Sequence, residues 1–356
     1  MDVRALRRLA IGHTMASEGT LSGALDRLGF VQADPIRAPA RAQDLILRHR
    51  VRGYRAGDLE RRYARLPVDE VYLYAYGFMP EAAARLLLPR FDPDSYDGRH
   101  VPAGLATDVL AAVQAAGVLH PRDLQAAFGR DRAVNGWGGF SKATTQALDM
   151  LLHHGYLRVA RREDGIRLYA ARPLPDDGFS HEERLRRLVM IVARVLAPVP
   201  APTLSAAASR LARELRSAKP PGRIVAELLE SGALERHEVD GLAYLWPTYL
   251  RPAPVHRRVR FLAPFDPLVW DRRRFEHLWG WRYRFEAYTP PARRTLGYYA
   301  MPMLWGEAII GWVNCSVRAG RLEVVPGYLA DAPAGRDFRS AFDAEVAAMA
   351  DFLAVA

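Results

Sequence analysis

Two side chains near the N-terminus have the types and spacing for hydrolysis: Gln32 and Asp34, in the stretch Phe30–His49, FVQADPIRAPARAQDLILRH. In an extended segment side chains alternate, so residues two apart project from one face. An amide and a carboxylate held side by side can grip one water molecule. The carboxylate can also steady a positive charge developing beside it. Arg37 and Arg41, four residues apart, follow at a distance suited to holding a phosphate. The bland reading of the same residues is a strand end whose Asp and Pro start a turn.

Composition narrows the setting. The chain has 356 residues, enough for two or three domains with separate cores. Half its residues are hydrophobic and a quarter charged, as in ordinary globular proteins. No apolar run reaches the roughly 18 residues of a membrane span, so no membrane partner is expected. The N-terminal residues, MDVRALRRLAIGHTMAS, lack the long apolar core of a secretion signal and fit an amphipathic helix. Cys315 is the single cysteine, which excludes an internal disulfide and fits a reducing, cytoplasmic setting. The formal charge of +10 favours a polyanionic partner such as nucleic acid or acidic lipid. Arginine supplies nearly all of it, since Lys142 and Lys219 are the only lysines.

The usual cofactor signals are missing: there is no GxxxxGK[ST], GxGxxG after a strand, HExxH, GxSxG or paired CxxC. One cysteine leaves no zinc finger or iron–sulfur cluster, and the adjacent His153 and His154 diverge on a helix. No metal or organic cofactor is expected.

The elements that must hold Gln32 and Asp34 follow from local pattern. Residues 2–17 predict a helix with Leu6, Leu9 and Ala10 on one face. Thr20 is placed to cap a second helix carrying Leu21, Ala24, Leu25 and Leu28, which ends at Gly29. Residues 41–90 predict further helices, with the aromatic run Val71–Met79 inside them as core or as a stacking surface. Residues 90–102 have the Asp, Pro and Gly of a linker.

Two later stretches repeat one pattern. Leu151-Leu152-His-His-Gly155 leads to Asp164-Gly165 and Tyr169; Leu228-Leu229-Glu-Ser-Gly232 leads to Asp240-Gly241 and Tyr244. Each predicts a helix ending at Gly, then a hairpin turning at Asp-Gly, which is the final helix and wing of a winged helix. Leu25 to Val31 fits the same frame more loosely, with the wing strand replaced by the Gln32/Asp34 stretch. The expected fold is α+β: three tandem winged-helix modules over residues 1–90, 103–173 and 180–247. A C-terminal antiparallel, barrel-like β subdomain follows over 248–356. It is expected to hold a β-hairpin, with strands over 282–289 and 295–304 and a basic tip at Arg293 and Arg294, and to close with a helix over 338–353.

Candidate DNA contacts lie on these elements. Ser141, Lys142, Thr144 and Thr145 open the recognition helix of the middle module, Ser141 also suiting an N-cap. Arg161 sits on its wing. Arg272, Arg273 and Arg282 concentrate charge in the β segment, and Arg293 and Arg294 on a thin tip suit a minor groove. Intramolecular ion pairs are the competing explanation for these arginines.

Gln32-Ala33-Asp34, the tandem modules and the stretch Phe265–Glu307 (FDPLVWDRRRFEHLWGWRYRFEAYTPPARRTLGYYAMPMLWGE) resemble the YcaQ/AlkZ-type DNA glycosylases, over nearly the whole chain. These bacterial winged-helix proteins excise N-alkylated purines and unhook interstrand crosslinks, and the Gln-x-Asp text is similar to their crosslink-repair branch. The resemblance implies a monofunctional glycosylase acting on double-stranded DNA that carries N7- or N3-alkylated purines. Asp34 then stabilises the sugar cation and assists the water that Gln32 holds. Tyr72-Leu73-Tyr74-Ala75 stands where many relatives have Trp-Ala-His-Glu, and Asn314-Cys315-Ser316 departs from an Asp-x-Lys-Ala-Asp-like text. The rival readings are a non-catalytic winged-helix DNA binder, which would prefer an undamaged sequence, and a scaffold whose affinity barely responds to salt. No heptad pattern argues for oligomers, so a monomer is expected.

Overall fold

A computed structural model describes residues 1–90, 101, 104–128, 132–134, 140–173 and 177–355. The fold is mixed α+β with a curled, half-barrel antiparallel sheet near the C-terminus. It divides into two compact units that do not follow chain order: Met1–Asp58, Met190–Leu204 and Leu228–Ala356 form the first, Leu59–Val189 and Ser205–Glu227 the second.

The first unit opens with α1 (Val3–Thr14), capped by Asp2, whose side chain accepts from Ala5 N. Helix α2 (Leu21–Leu28) begins where Thr20 accepts from Gly23 N and ends at Gly29, whose φ of +76° is left-handed. The cap expected at Thr20 and the stop expected at Gly29 are therefore both present. Strand β1 (Val31–Gln32) leaves that Gly, and α3 (Ala42–Leu47) follows after a loop. The buried Asp44 in α3 accepts from Tyr54 Oη at 2.7 Å and Gly57 N at 3.0 Å, which fixes the turn after the helix.

In the second unit the chain departs from the expected run of helices. After α4 (Asp58–Arg62), a hairpin of β2 (Val68–Tyr72) and β3 (Tyr76–Pro80) precedes α5 (Glu81–Ala84). Val71, Leu73, Phe78 and Met79 are buried, so the aromatic run belongs to the core. The hairpin is obscured in the sequence because Asp69 and Glu70 interrupt its apolar text; both are buried. Glu70 is held by Arg162 through bonds of 2.8 and 2.6 Å, and Asp69 pairs with Arg172 at 2.9 Å. The expected linker at 90–102 lies almost entirely outside the described residues.

The second unit continues with α6 (Leu105–Ala116), β4 (Val118–Leu119), α7 (Pro121–Phe128), the short pair β5 (Arg132–Val134) and β6 (Phe140–Lys142), and α8 (Ala143–His154). Strands β7 (Leu157–Glu163) and β8 (Ile166–Ala171) form a hairpin, with β4 on the far side of β8. Its turn places Asp164 at φ +49° and Gly165 at +81°, the two left-handed residues that a tight hairpin matching strand twist requires.

The helices α9 (His181–Val195), α10 (Ala201–Glu214) and α11 (Pro221–Glu230), with β9 (Val199–Pro200), divide their residues between the units. In the first unit β10 (Leu234–Val239) and β11 (Leu242–Pro247) form the second Asp-Gly hairpin, with Asp240 at φ +50° and Gly241 at +75°. Strand β12 (Val259–Phe261), helices α12 (Pro267–Trp270) and α13 (Arg272–Trp279), strands β13 (Met301–Trp305), β14 (Ala308–Arg318) and β15 (Arg321–Tyr328), and helix α14 (Arg336–Leu353) complete the chain. The sheet order is β12-β13-β14-β15, antiparallel throughout. Leu6, Leu9 and Ala10 of α1 enter one core with Trp246, Leu262, Phe275, Leu278 and Leu304. Each large apolar side chain so buried contributes roughly 1.5–3 kcal/mol, and this packing joins both ends of the chain in one unit.

The expected hairpin over 282–304 is absent. Residues 281–300 form an irregular loop with one turn of 3-10 helix at Pro291–Arg293, and only Met301 onward is strand. The carboxylate of Glu286 explains the loop: it accepts from Thr295 N (2.8 Å), Thr295 Oγ1 (2.9 Å), Leu296 N (2.8 Å) and Gly297 N (3.3 Å). Amides that would form a ladder are committed to one side chain. Asn314 of β14 secures the same loop, donating to Leu296 O at 2.8 Å. Gly297 lies so close, at φ +121°, that a Cβ would come within 2.4 Å of the Asn314 side chain.

Candidate active site

Gln32 is the last residue of β1, and the chain turns before Asp34. Asp34 Oδ1 accepts from Ile36 N at 2.9 Å, spanning Pro35 in an Asx turn, so one carboxylate oxygen is fixed locally. The other, Oδ2, makes no hydrogen bond among the described residues. The Asp34 amide itself points to Gln43 Oε1, at 3.4 Å. Gln43 is buried on α3 among Ala42, Leu45 and Ile46, and thus braces the backbone of the site from behind. Sequence reasoning missed it, although a glutamine on a helix face otherwise made of Ala, Leu and Ile is the signal.

The Gln32 amide oxygen is shielded from solvent and meets no donor among the described residues. A buried acceptor without a partner costs free energy of about 1–3 kcal/mol, and such groups concentrate where something else is meant to bind. Asp34 is half-buried. Loss of hydration raises its carboxyl above the ordinary aspartate value, and the Ile36 N–H pulls the other way.

The loop 281–300 brings tyrosines to this carboxylate. Burial raises the Tyr299 phenol well above its usual range, and the Asp34 charge is the next largest influence on it. Burial and Asp34 raise Tyr288 as well. Tyr288 is 80% exposed and stands edge-on to Phe285, whose ring is perpendicular to that of Tyr299 at 5.4 Å. The region around Asp34 therefore has an aromatic wall, one member buried and one offered to solvent. Neither tyrosine stands out in the sequence, because the loop that presents them imitates an alternating strand.

The arginines separate into free and occupied groups. Arg37, Arg273, Arg282 and Arg293 are exposed and make no ion pair among the described residues. Arg41, expected beside Arg37 as a phosphate contact, is half-buried at the start of α3. Arg294 donates to Thr289 O at 2.8 Å and lies over the Tyr298 ring at 5.0 Å, on a loop rather than a hairpin tip. Arg272 is not a free surface charge: it donates to Pro264 O at 2.9 Å and to Val269 O, and covers the Tyr283 ring at 4.6 Å. It opens a helix, α13, in a segment whose basic run suggests β.

In the second unit, Thr144 is only 4% exposed and faces the interior, which removes it from the expected DNA contacts. Helix α8 starts at Ala143 with Lys142 as the capping residue, so Ser141, a β6 residue, is not the N-cap. The Ser141 side chain lies outside the described residues. Lys142 donates to Gln125 Oε1 at 2.6 Å, and Thr145 is exposed. Arg161 is exposed and paired to Glu163 Oε1 at 2.8 and 3.0 Å. Among the described residues no group of three or more His, Cys, Asp or Glu could hold a metal ion, and no helix is long and apolar enough to cross a membrane.

The chain is a DNA glycosylase by family. The model of the family "DNA glycosylase AlkZ-like" matches residues 25–352, and the protein belongs to the AlkZ-like DNA glycosylase family. That match takes in residues of both units, the Gln32/Asp34 stretch and the C-terminal sheet. No solved structure matches the chain.

Proposed function

We propose that this protein hydrolyses the N-glycosidic bond of purines alkylated at N7 or N3 in double-stranded DNA, leaving an abasic site. The observation that carries the reading is the buried, unpartnered Gln32 oxygen beside the half-buried Asp34 carboxylate with one oxygen open.

A purine alkylated at N7 or N3 is already cationic, so it leaves without a general acid. The enzyme's task is then to stabilise an oxocarbenium-like sugar and to deliver water to C1′. Asp34 does the first by charge, most strongly where water is excluded. With Gln32 it holds the attacking water, and its open oxygen accepts the proton. The unit that carries Asp34 contains no lysine, since Lys142 and Lys219 both fall in the second unit. That supports direct attack by water rather than a lysine Schiff base, and so a monofunctional enzyme.

DNA is held by the net charge of +10 and by the free arginines Arg37, Arg273, Arg282 and Arg293. The two helix–hairpin stretches, 103–173 and 180–247, are read as winged helices, with 1–90 as a divergent third. The protein acts as a monomer, and crosslink unhooking is the same chemistry applied to a purine whose alkyl group reaches the other strand.

The test is a duplex bearing one N7-methylguanine, incubated with the protein and then with alkali. Strand breaks only after alkali, and no protein–DNA adduct on borohydride treatment, support a monofunctional glycosylase. Tight binding without breaks on this duplex or on N3-methyladenine DNA favours a non-catalytic DNA binder instead.

A further inference from the structure

The Gln32 oxygen is not the only unpartnered polar atom near Asp34. Tyr299 is 3% exposed, and its hydroxyl meets no partner among the described residues. Its ring is locked. Phe285 closes on it at right angles, and the adjacent residue, Ala300, is anchored through its carbonyl by Tyr283 Oη at 2.7 Å. Tyr283 is in turn covered by Arg272 at 4.6 Å. A rigid phenol with a desolvated, unused O–H is unfavourable in a folded core unless it has work at that place.

The two orphans are complementary: Gln32 offers an acceptor and Tyr299 a donor, with the open Asp34 oxygen as a third group. We propose that Tyr299 is the third ligand of the hydrolytic water, donating its O–H to the water oxygen while Gln32 and Asp34 accept the water's two hydrogens. The count fits one water molecule. Two hydrogens are taken by Gln32 and Asp34, one lone pair by Tyr299, and a single lone pair remains to attack C1′. On attack the O–C1′ bond forms, the C1′–N bond breaks with its electrons going to the cationic purine, and the proton facing Asp34 passes to the carboxylate.

The absence of a direct Tyr299–Asp34 hydrogen bond agrees with an intervening oxygen. The Asp34 charge still bears on the phenol, and burial and that charge together keep Tyr299 protonated, hence a donor, throughout the neutral range. Arg272, expected to touch DNA, acts instead through Tyr283 on the backbone that carries Tyr299.

This inference rests on the proposed hydrolytic role of Gln32 and Asp34, and the experiment separates the two. Single-turnover excision of N7-methylguanine is measured for wild type, Asp34→Ala, Gln32→Ala, Tyr299→Phe and the Gln32→Ala/Tyr299→Phe double variant, alongside DNA affinity and Tm. Tyr299→Phe keeps the ring and removes an unpartnered hydroxyl, so Tm is expected to hold or rise. Its excision rate is expected to fall about tenfold or more with unchanged DNA affinity. The double variant is expected to lose much less than the product of the single losses, because both groups act through one water.

A Tyr299→Phe enzyme at the wild-type rate, with Asp34→Ala inactive, overturns the role of Tyr299 and leaves the proposed function standing. A loss confined to Tm, or strictly multiplicative losses in the double variant, also overturns it. An active Asp34→Ala overturns the reading on which it rests.

Discussion

Arg50 and Asp266 meet through two parallel hydrogen bonds, 2.8 Å from Nη1 to Oδ2 and 3.0 Å from Nη2 to Oδ1, with both side chains buried. Arg50 also donates to Thr14 O at 2.7 Å and Ile46 O at 2.6 Å, and Asp266 caps α12 by accepting from Leu268 N at 3.0 Å. The Phe-Asp-Pro text that marks the C-terminal stretch thus fastens the end of the segment that carries Gln32 and Asp34. Asp266→Ala strands a buried guanidinium and is expected to cost roughly 3–5 kcal/mol. Arg50→Met with Asp266→Leu is expected to recover part of the loss. Urea unfolding of both variants beside wild type checks this, and an Asp266→Ala protein as stable as wild type would contradict it.

Asp34 has the opposite sign. Its folded-state pKa is raised by burial, so the ionised group costs stability above that pKa and the cost disappears as pH falls below the ordinary 3.8. Asp34→Asn is therefore expected to unfold at or above the wild-type temperature at pH 7, with the advantage shrinking in acid, while excision is lost. A marked drop in Tm at pH 7 would show that the carboxylate is structural.

Glu286 behaves as an ordinary paired acid. Burial raises its carboxyl, but the donors from Thr295, Leu296 and Gly297 outweigh that and hold it below the usual 4.5. Its contribution is fully present above 4.5 and is lost as pH falls through the lower folded value. Glu286→Ala is expected to lose about 1–3 kcal/mol and to slow excision, since the knot it forms sets the loop that carries Tyr288 and Tyr299. Denaturation across a pH range of about 3–6 tests the sign: wild type and variant should converge in acid.

The arginines divide by role. Arg282→Ala with Arg293→Ala is expected to lower the salt dependence of DNA binding, by about one unit of slope for each phosphate no longer neutralised, with Tm unchanged. Arg272→Ala is expected to lower Tm and leave the slope alone. The reverse pattern in fluorescence-anisotropy titrations over a salt series would refute the assignment.

What is legible in the sequence is local. Thr20 and Gly29 bound α2 because a cap and a left-handed Gly act within one turn, and the Asp-Gly turns at 164 and 240 follow from two residues each. What is not legible depends on distant partners. Asp69 and Glu70 read as surface acids until Arg172 and Arg162 neutralise them. The alternation of 282–289 imitates a strand, and only the Glu286 knot reveals the loop. Gln32 and Asp34 can be named from spacing, but their assumed shared strand ends at Gln32, and the wall formed by Tyr288 and Tyr299 arrives from more than 250 positions away.

The most direct test of the account is the pH dependence of single-turnover N7-methylguanine excision by wild type, with Asp34→Ala beside it at matched DNA occupancy. The account predicts a wild-type rate that falls in acid with a midpoint above the ordinary aspartate value of 3.8, and an Asp34→Ala enzyme that binds as tightly but does not excise. Excision by Asp34→Ala at a comparable rate would contradict it.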